Sequence, residues 1–230
     1  MQNHAVKLII FDWDGTLFNS VGQIVDSLLY AAEKYDQPLL AIDAKDVIGL
    51  GLPEVMQRLF PQVPELHEQL LTAYSTHYVE NSVQDLWFDG VAEMLDALRN
   101  QGVLLAVATG KNRKGLDRVL EKTKSTDLFT ITRAASETAS KPNPQMLQEI
   151  LNHTGVAATE AVMVGDTSYD LEMAQRIGMP RIGVTYGVHS DAILKQYEPL
   201  AIVHNIEQLA QVLKSDMFGL STSVDGIDKL

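Results

Sequence analysis

The chain has 230 residues, 46% of them apolar and 21% charged, which suits one sizeable α/β core with an insertion, or two small domains. A net charge of −12 argues against a broad nucleic-acid surface and repels anionic substrates at long range, so any phosphate site must reverse the field locally. Absent cysteine rules out disulfides and thiolate sites, and the apolar runs are too short to span a bilayer. The amino terminus carries one lysine and no long apolar run, so the expectation is a cytoplasmic protein without signal peptide, nucleic-acid partner or membrane partner.

Val6 to Phe11 reads as a strand buried on both faces, ending in Asp12-Trp13-Asp14-Gly15-Thr16-Leu17. Ser20-Val21-Gly22-Gln23 then reads as a capping box, and Val21, Ile24, Val25, Leu28, Leu29 and Ala32 repeat at helical spacing until Pro38. Pro53 and Pro64 suit the first positions of two more helices, the later one carrying Leu66, Leu70, Tyr74 and Tyr78 on one face. No strand pattern appears from about 18 to 85, so this stretch is expected to be a helical insertion. From Asp89 the α/β alternation resumes. A helix closed by Gly102 precedes the strand Val103 to Ala108, which ends in Thr109-Gly110-Lys111. A helix with Leu116, Val119 and Leu120 follows, then a short strand at Leu128 to Ile131 and a helix with Leu147, Ile150 and Leu151. The strand Ala161 to Val164 ends in Gly165-Asp166-Thr167-Ser168-Tyr169-Asp170, and its helix closes at Gly178. Arg181 to Thr185 and Ala201 to Val203 read as edge strands, Asn205 caps a last helix through Leu213, and residues from about 216 read as a loose tail. Strands separated by single helices predict a Rossmann-like parallel sheet covered on both faces.

Two carboxylates one residue apart at a buried strand end repel each other unless a cation or proton intervenes. In such folds ligands bind at the carboxyl edge of the sheet. Asp12-x-Asp14, Thr109 at a second strand end, Lys141 in Ser140-Lys141-Pro142-Asn143-Pro144, and Gly165-Asp166-x-x-x-Asp170 occur in that order, each beside a strand end or helix start. Asp166 alone would also serve as a helix N-cap. Lys111, Arg113, Lys114 and Arg118 form a basic cluster, for which a solvated helix face is the reading preferred at Arg118. The six histidines show no paired zinc spacing and read as surface or core residues.

This ordered set resembles the haloacid dehalogenase superfamily of phosphohydrolases, and the helical insertion after the first motif is similar to its phosphoglycolate-phosphatase-like branch. The resemblance implies an α/β core of residues 1–17 and 86–215, with 18–85 as an all-α cap and 216–230 as the tail. It implies that Asp12 is a nucleophile forming an aspartyl phosphate and Asp14 the general acid and base. Members that displace halide and ion-pumping ATPases lack an aspartate at the position of Asp14, whereas phosphatases and phosphomutases have it. Thr109 and Lys141 are implied to hold phosphate charge, with Gly110 and Lys111 beside them; the family's commonest form has Asn where this chain has Gly110. Mg²⁺ is the implied cofactor, held by Asp12, the main chain of Asp14 and Asp166, while Asp170 either reaches the metal through water or orients Lys141. Gly49-Leu50-Gly51 falls in the cap loop that reaches the substrate. The expected function is therefore Mg²⁺-dependent hydrolysis of a small phosphorylated metabolite, a phosphoglycolate-like monoester. The rivals are a phosphomutase of the β-phosphoglucomutase type, and, in another class, a non-catalytic binding protein on the same fold.

Overall fold

Among the described residues, the short apolar runs become six strands that run parallel in one sheet. They are β1 (Leu8–Phe11), β2 (Leu104–Thr109), β3 (Ile131–Ala134), β4 (Ala161–Gly165), β5 (Arg181–Val184) and β6 (Ala201–Val203), in the spatial order β3-β2-β1-β4-β5-β6. This is a computed structural model that describes residues 6–82 and 87–215. The expected cap boundary at 85/86 and the expected tail from 216 fall outside the described residues.

Alternation of side chains across the pleat explains why the strands are apolar throughout. Ile9, Phe11, Leu105, Val107, Val162 and Val164 point to one face, and Leu8, Ile10, Ala106, Ala108, Ala161 and Met163 to the other. Among the described residues, ten helices surround or follow these strands. Between β1 and β2 lie α1 (Val21–Lys34), α2 (Ala41–Asp46), α3 (Leu52–Leu59), α4 (His67–Glu80) and α5 (Val91–Asn100). The others are α6 (Arg113–Lys122), α7 (Gln145–Thr154), α8 (Ser168–Gln175), α9 (Asp191–Leu194) and α10 (Ile206–Leu213). The apolar sides of α5, α6 and α10 cover the first face, and those of α7 and α8 the second. None of the described helices is long and apolar enough to cross a membrane.

Helices α1 to α4 form a separate layer with its own core, in which Leu28, Ala31, Met56, Phe60, Leu70 and Tyr74 are buried. The chain enters and leaves this layer side by side: the Phe88 amide donates to the Leu17 carbonyl at 3.1 Å, and Phe18 bridges to Trp87.

Several local expectations shift. Ser20 precedes α1 but makes no side-chain cap bond; its hydroxyl donates to Asp14 instead, so the capping box is absent. Pro64 opens a single 3₁₀ turn, Pro64–Leu66, before α4. The third strand lies three residues later than Leu128, because Thr126–Leu128 form a 3₁₀ turn and Phe129 packs into the core outside the ladder. Arg181–Val184 is an interior strand between β4 and β6, so the edges are β3 and β6.

Candidate active site

The chain builds outward from β1 to β2 and β3, then returns across it to β4, which makes the β1/β4 gap the point where strand order reverses and a crevice opens. Phe11 pairs with Val107 on one side and Val164 on the other. Asp12, Thr109 and Asp166 therefore leave the sheet within two residues of one another at the same edge.

Asp12 is 1% exposed, with its amide fixed by the Val164 carbonyl at 2.9 Å. Lys141, fully buried, donates to Asp12 Oδ1 and to Asp170 Oδ1, each at 2.6 Å. Burial works against the lysine's charge, but the two carboxylates outweigh it and raise its pKa. Asp170 Oδ2 accepts from the Thr167 amide at 3.1 Å and from the Thr167 hydroxyl at 2.7 Å. Thr167 in turn caps α8, so the N-cap is Thr167 rather than Asp166. Both oxygens of Asp170 are thus engaged in setting Lys141 and the helix start.

Asp166 sits in a close-fitting cradle. Thr16 Oγ1 donates to its Oδ1 at 2.9 Å and the Val188 amide to its Oδ2 at 2.8 Å. A Cβ at Gly15, whose φ is +82°, or at Gly187 would stand 2.2 or 2.1 Å from Oδ2, so only glycine lets these backbones close around the carboxylate. Thr16, Val188 and Gly187 were not singled out from sequence. His189, on the same loop, is buried and accepts from the Ser168 amide at 2.8 Å, consistent with a core role.

Asp14 lies apart from this cluster. Its Oδ1 accepts from Ser20 and pairs with Lys111 Nζ at 2.9 Å, while its Oδ2 has no bond to a described residue. Burial opposes the charge of Lys111, yet Asp14 and the Tyr78 hydroxyl hold its pKa above the usual lysine value. Thr109 is fully buried, and its hydroxyl accepts from the Lys111 amide at 3.2 Å.

The cap loop presses directly on this edge. A Cβ at Gly110 would stand 2.5 Å from the Gly49 carbonyl oxygen and 2.7 Å from that of Leu50. The Gly51 amide donates to Ser140 Oγ at 2.9 Å. This close approach gives a steric reason for glycine at 110. Over the site, cap and core enclose a cavity of about 310 Å³ that reaches Asp14 and Lys111. Arg118, expected on a solvated face, is half-buried in its wall.

Carboxylate oxygens of Asp12, Asp166 and Asp170 lie within 4.8 Å of one another, against the single ammonium of Lys141. Burial, opposed by Lys141 and reinforced by Asp170, pushes the Asp12 carboxyl up to about 7. Burial first, then the charges of Asp12 and Asp170, raise Asp166 well above the carboxylate range. Asp12 Oδ2 is buried without a hydrogen-bond partner. An excess of buried negative charge, hard oxygen donors and one orphaned oxygen fit a divalent cation.

A family model described as "Haloacid dehalogenase-like hydrolase" matches residues 9–184. A protein of Dickeya dadantii named "Probable phosphatase IndB" is 34% identical over 88% of this chain and 91% of its own length. "Pyrophosphatase PpaX" of Halalkalibacterium halodurans is 28% identical over 90% of this chain and 97% of its own. The crystal structure of a predicted phosphoglycolate phosphatase from Haemophilus somnus superposes with a TM-score of 0.81 at 25% identity, covering 92% of this chain and 99% of that one.

Proposed function

Because the chain belongs to the haloacid dehalogenase-like hydrolases and is a phosphatase of that type working through an aspartyl nucleophile, we propose that Asp12 is the nucleophile and that the substrate is a small phosphorylated metabolite. The likeness to a predicted phosphoglycolate phosphatase supports a phosphomonoester that carries a second anionic group. The observation that carries this reading is Lys141 joining Asp12 and Asp170 beside Asp166, at the strand-order reversal. Residues 18–85 act as the cap and 1–17 with 86–215 as the core.

Asp12 and Asp166, with the main chain of Asp14, would hold Mg²⁺, and Asp170 would complete the acidic cluster while orienting Lys141. The oxygen-only donor set favours Mg²⁺ over zinc. Bound there, the cation supplies electrophilic neutralisation of phosphoryl oxygens. Asp12 attacks phosphorus and the bond to the alcohol oxygen breaks. Asp14 gives its proton to that oxygen, then takes one from the water that attacks the aspartyl phosphate, releasing phosphate and free Asp12. Lys111 holds Asp14 in place through their 2.9 Å ion pair. Thr109, Gly110 and Lys141 face the transferring charge with donors already ordered by the fold. The Gly49-Leu50-Gly51 loop closes the site against bulk water.

The direct test is hydrolysis of p-nitrophenyl phosphate with Mg²⁺ and with excess chelator. Turnover should vanish with chelator and return with added Mg²⁺; full activity in chelator contradicts the metal assignment. Phosphate release with no phosphoryl transfer to added sugar phosphates separates hydrolysis from mutase chemistry.

A further inference from the structure

The cavity between cap and core is larger and more apolar than a two-carbon acid requires. At about 310 Å³ it has space for roughly ten water-sized groups, taking ~30 Å³ for each. Its cap wall is built from Ile24, Leu28, Leu50, Val55, Tyr74 and Tyr78. Such a wall gains nothing from a carboxylate lying against it, since burying an unpaired charge among apolar groups is costly. An apolar body gains about fourfold in affinity per buried methylene.

The opposite wall is cationic and its charges are unevenly used. Lys111, Lys114 and Arg118 line it, whereas Arg113 of α6 does not and is engaged by Glu137, Asp117 and Thr132. Arg118 is different. Its guanidinium lies 5.9 Å from the centre of the Tyr78 ring, and among the described residues it forms no ion pair and donates no hydrogen bond. The Lys111 ammonium lies 5.0 Å from the same ring and is committed to Asp14 and the Tyr78 hydroxyl. Tyr78 therefore separates a cation tied to the chemistry from one whose planar fork of donors is free, and both line the cavity. A free arginine fork matches a carboxylate or similar oxyanion.

Resting on the phosphomonoesterase reading and narrowing it, we propose that the physiological substrate is a phosphomonoester with a ring-sized apolar body and a terminal anionic group. The body lies against Leu28, Leu50 and Tyr78, and Arg118 receives the terminal group. Arg118 is then a specificity residue, one that distinguishes substrates and takes no part in bond breaking.

The test compares kcat/KM for benzyl phosphate, its 4-carboxy derivative, 2-phosphoglycolate and p-nitrophenyl phosphate, all with Mg²⁺, in the wild type and in Arg118→Gln. Expected in the wild type is a preference of at least about tenfold for benzyl phosphate over phosphoglycolate, from the methylene-equivalents buried. The 4-carboxylate should gain a further ten- to hundredfold, the worth of a charged hydrogen bond. Arg118→Gln should shrink that carboxylate preference to about threefold or less. Phosphoglycolate as the best substrate overturns the proposal even though the phosphatase reading stands. So does a carboxylate preference that is absent in the wild type or undiminished in Arg118→Gln. Lack of turnover on every ester, p-nitrophenyl phosphate included, overturns the phosphatase reading and this inference with it.

Discussion

Gly110→Ala isolates the contact between cap and core. Gly110 has no positive φ, so alanine suits the backbone, and the entire effect is steric. The new methyl would stand 2.5 Å from the Gly49 carbonyl oxygen, where ordinary contact begins at 3.4 Å, so the cap loop must retreat by about 0.9 Å. That retreat also lengthens the bond from the Gly51 amide to Ser140 and moves Leu50 away from the cavity. A displacement of ~1 Å in a group that positions substrate costs on the order of 10²-fold in rate. The expected result is a kcat/KM on benzyl phosphate lowered about a hundredfold. The melting temperature should change little, because the sheet core is untouched. Steady-state kinetics with a thermal melt on the same sample decides it. A kcat/KM within threefold of wild type would refute the idea that the seated loop is part of the working site.

Two further outcomes follow from the charge cluster. Lys141→Ala leaves Asp12 and Asp170 buried without their shared cation, a loss of ~3–5 kcal/mol when one partner of a buried pair is removed. Chemical denaturation without metal should show that loss, and Mg²⁺ should recover part of it; a loss below ~1 kcal/mol contradicts the pairing. The second outcome concerns pH. Asp12 in the metal-free fold has its carboxyl raised from 3.8 to about 7, and Asp166 is raised as well, with burial the largest cause for both. A raised carboxyl stabilises the fold fully below its unfolded value, and that contribution is lost as pH climbs through about 7. Mg²⁺ competes with those protons. It should therefore raise the melting temperature more at pH 8 than at pH 5, and an equal increment at both would count against the cluster as its site.

The strand ends were legible because each combines a continuous apolar run with an abrupt polar turn, as at Phe11-Asp12 and Val164-Gly165-Asp166. Helix placement was legible where apolar spacing was long, as along α1. Ser20 was misread because the same hydroxyl that could cap α1 finds a stronger acceptor in Asp14, six residues back. Leu128 and Phe129 misled because an apolar run can fill a core from a 3₁₀ turn as well as from a strand. Four- and six-residue helices such as α9 and α2 are too short to show a period. Thr16 meets Asp166 across 150 residues and Val188 gives only a backbone amide, so neither carries a local signal. Arg118 looked like surface because the Tyr78 ring it faces comes from the distant cap.

The account's central claim is that Asp12 becomes covalently phosphorylated. Rapid acid quench during turnover of p-nitrophenyl phosphate, followed by borohydride reduction and peptide mapping, reads this directly, since an acyl phosphate is reduced to an alcohol and a free carboxylate is not. The account predicts reduction confined to position 12, dependent on substrate and Mg²⁺, and lost in Asp12→Asn along with several orders of magnitude of turnover. Reduction at another carboxylate, or near-normal turnover by Asp12→Asn, would contradict it.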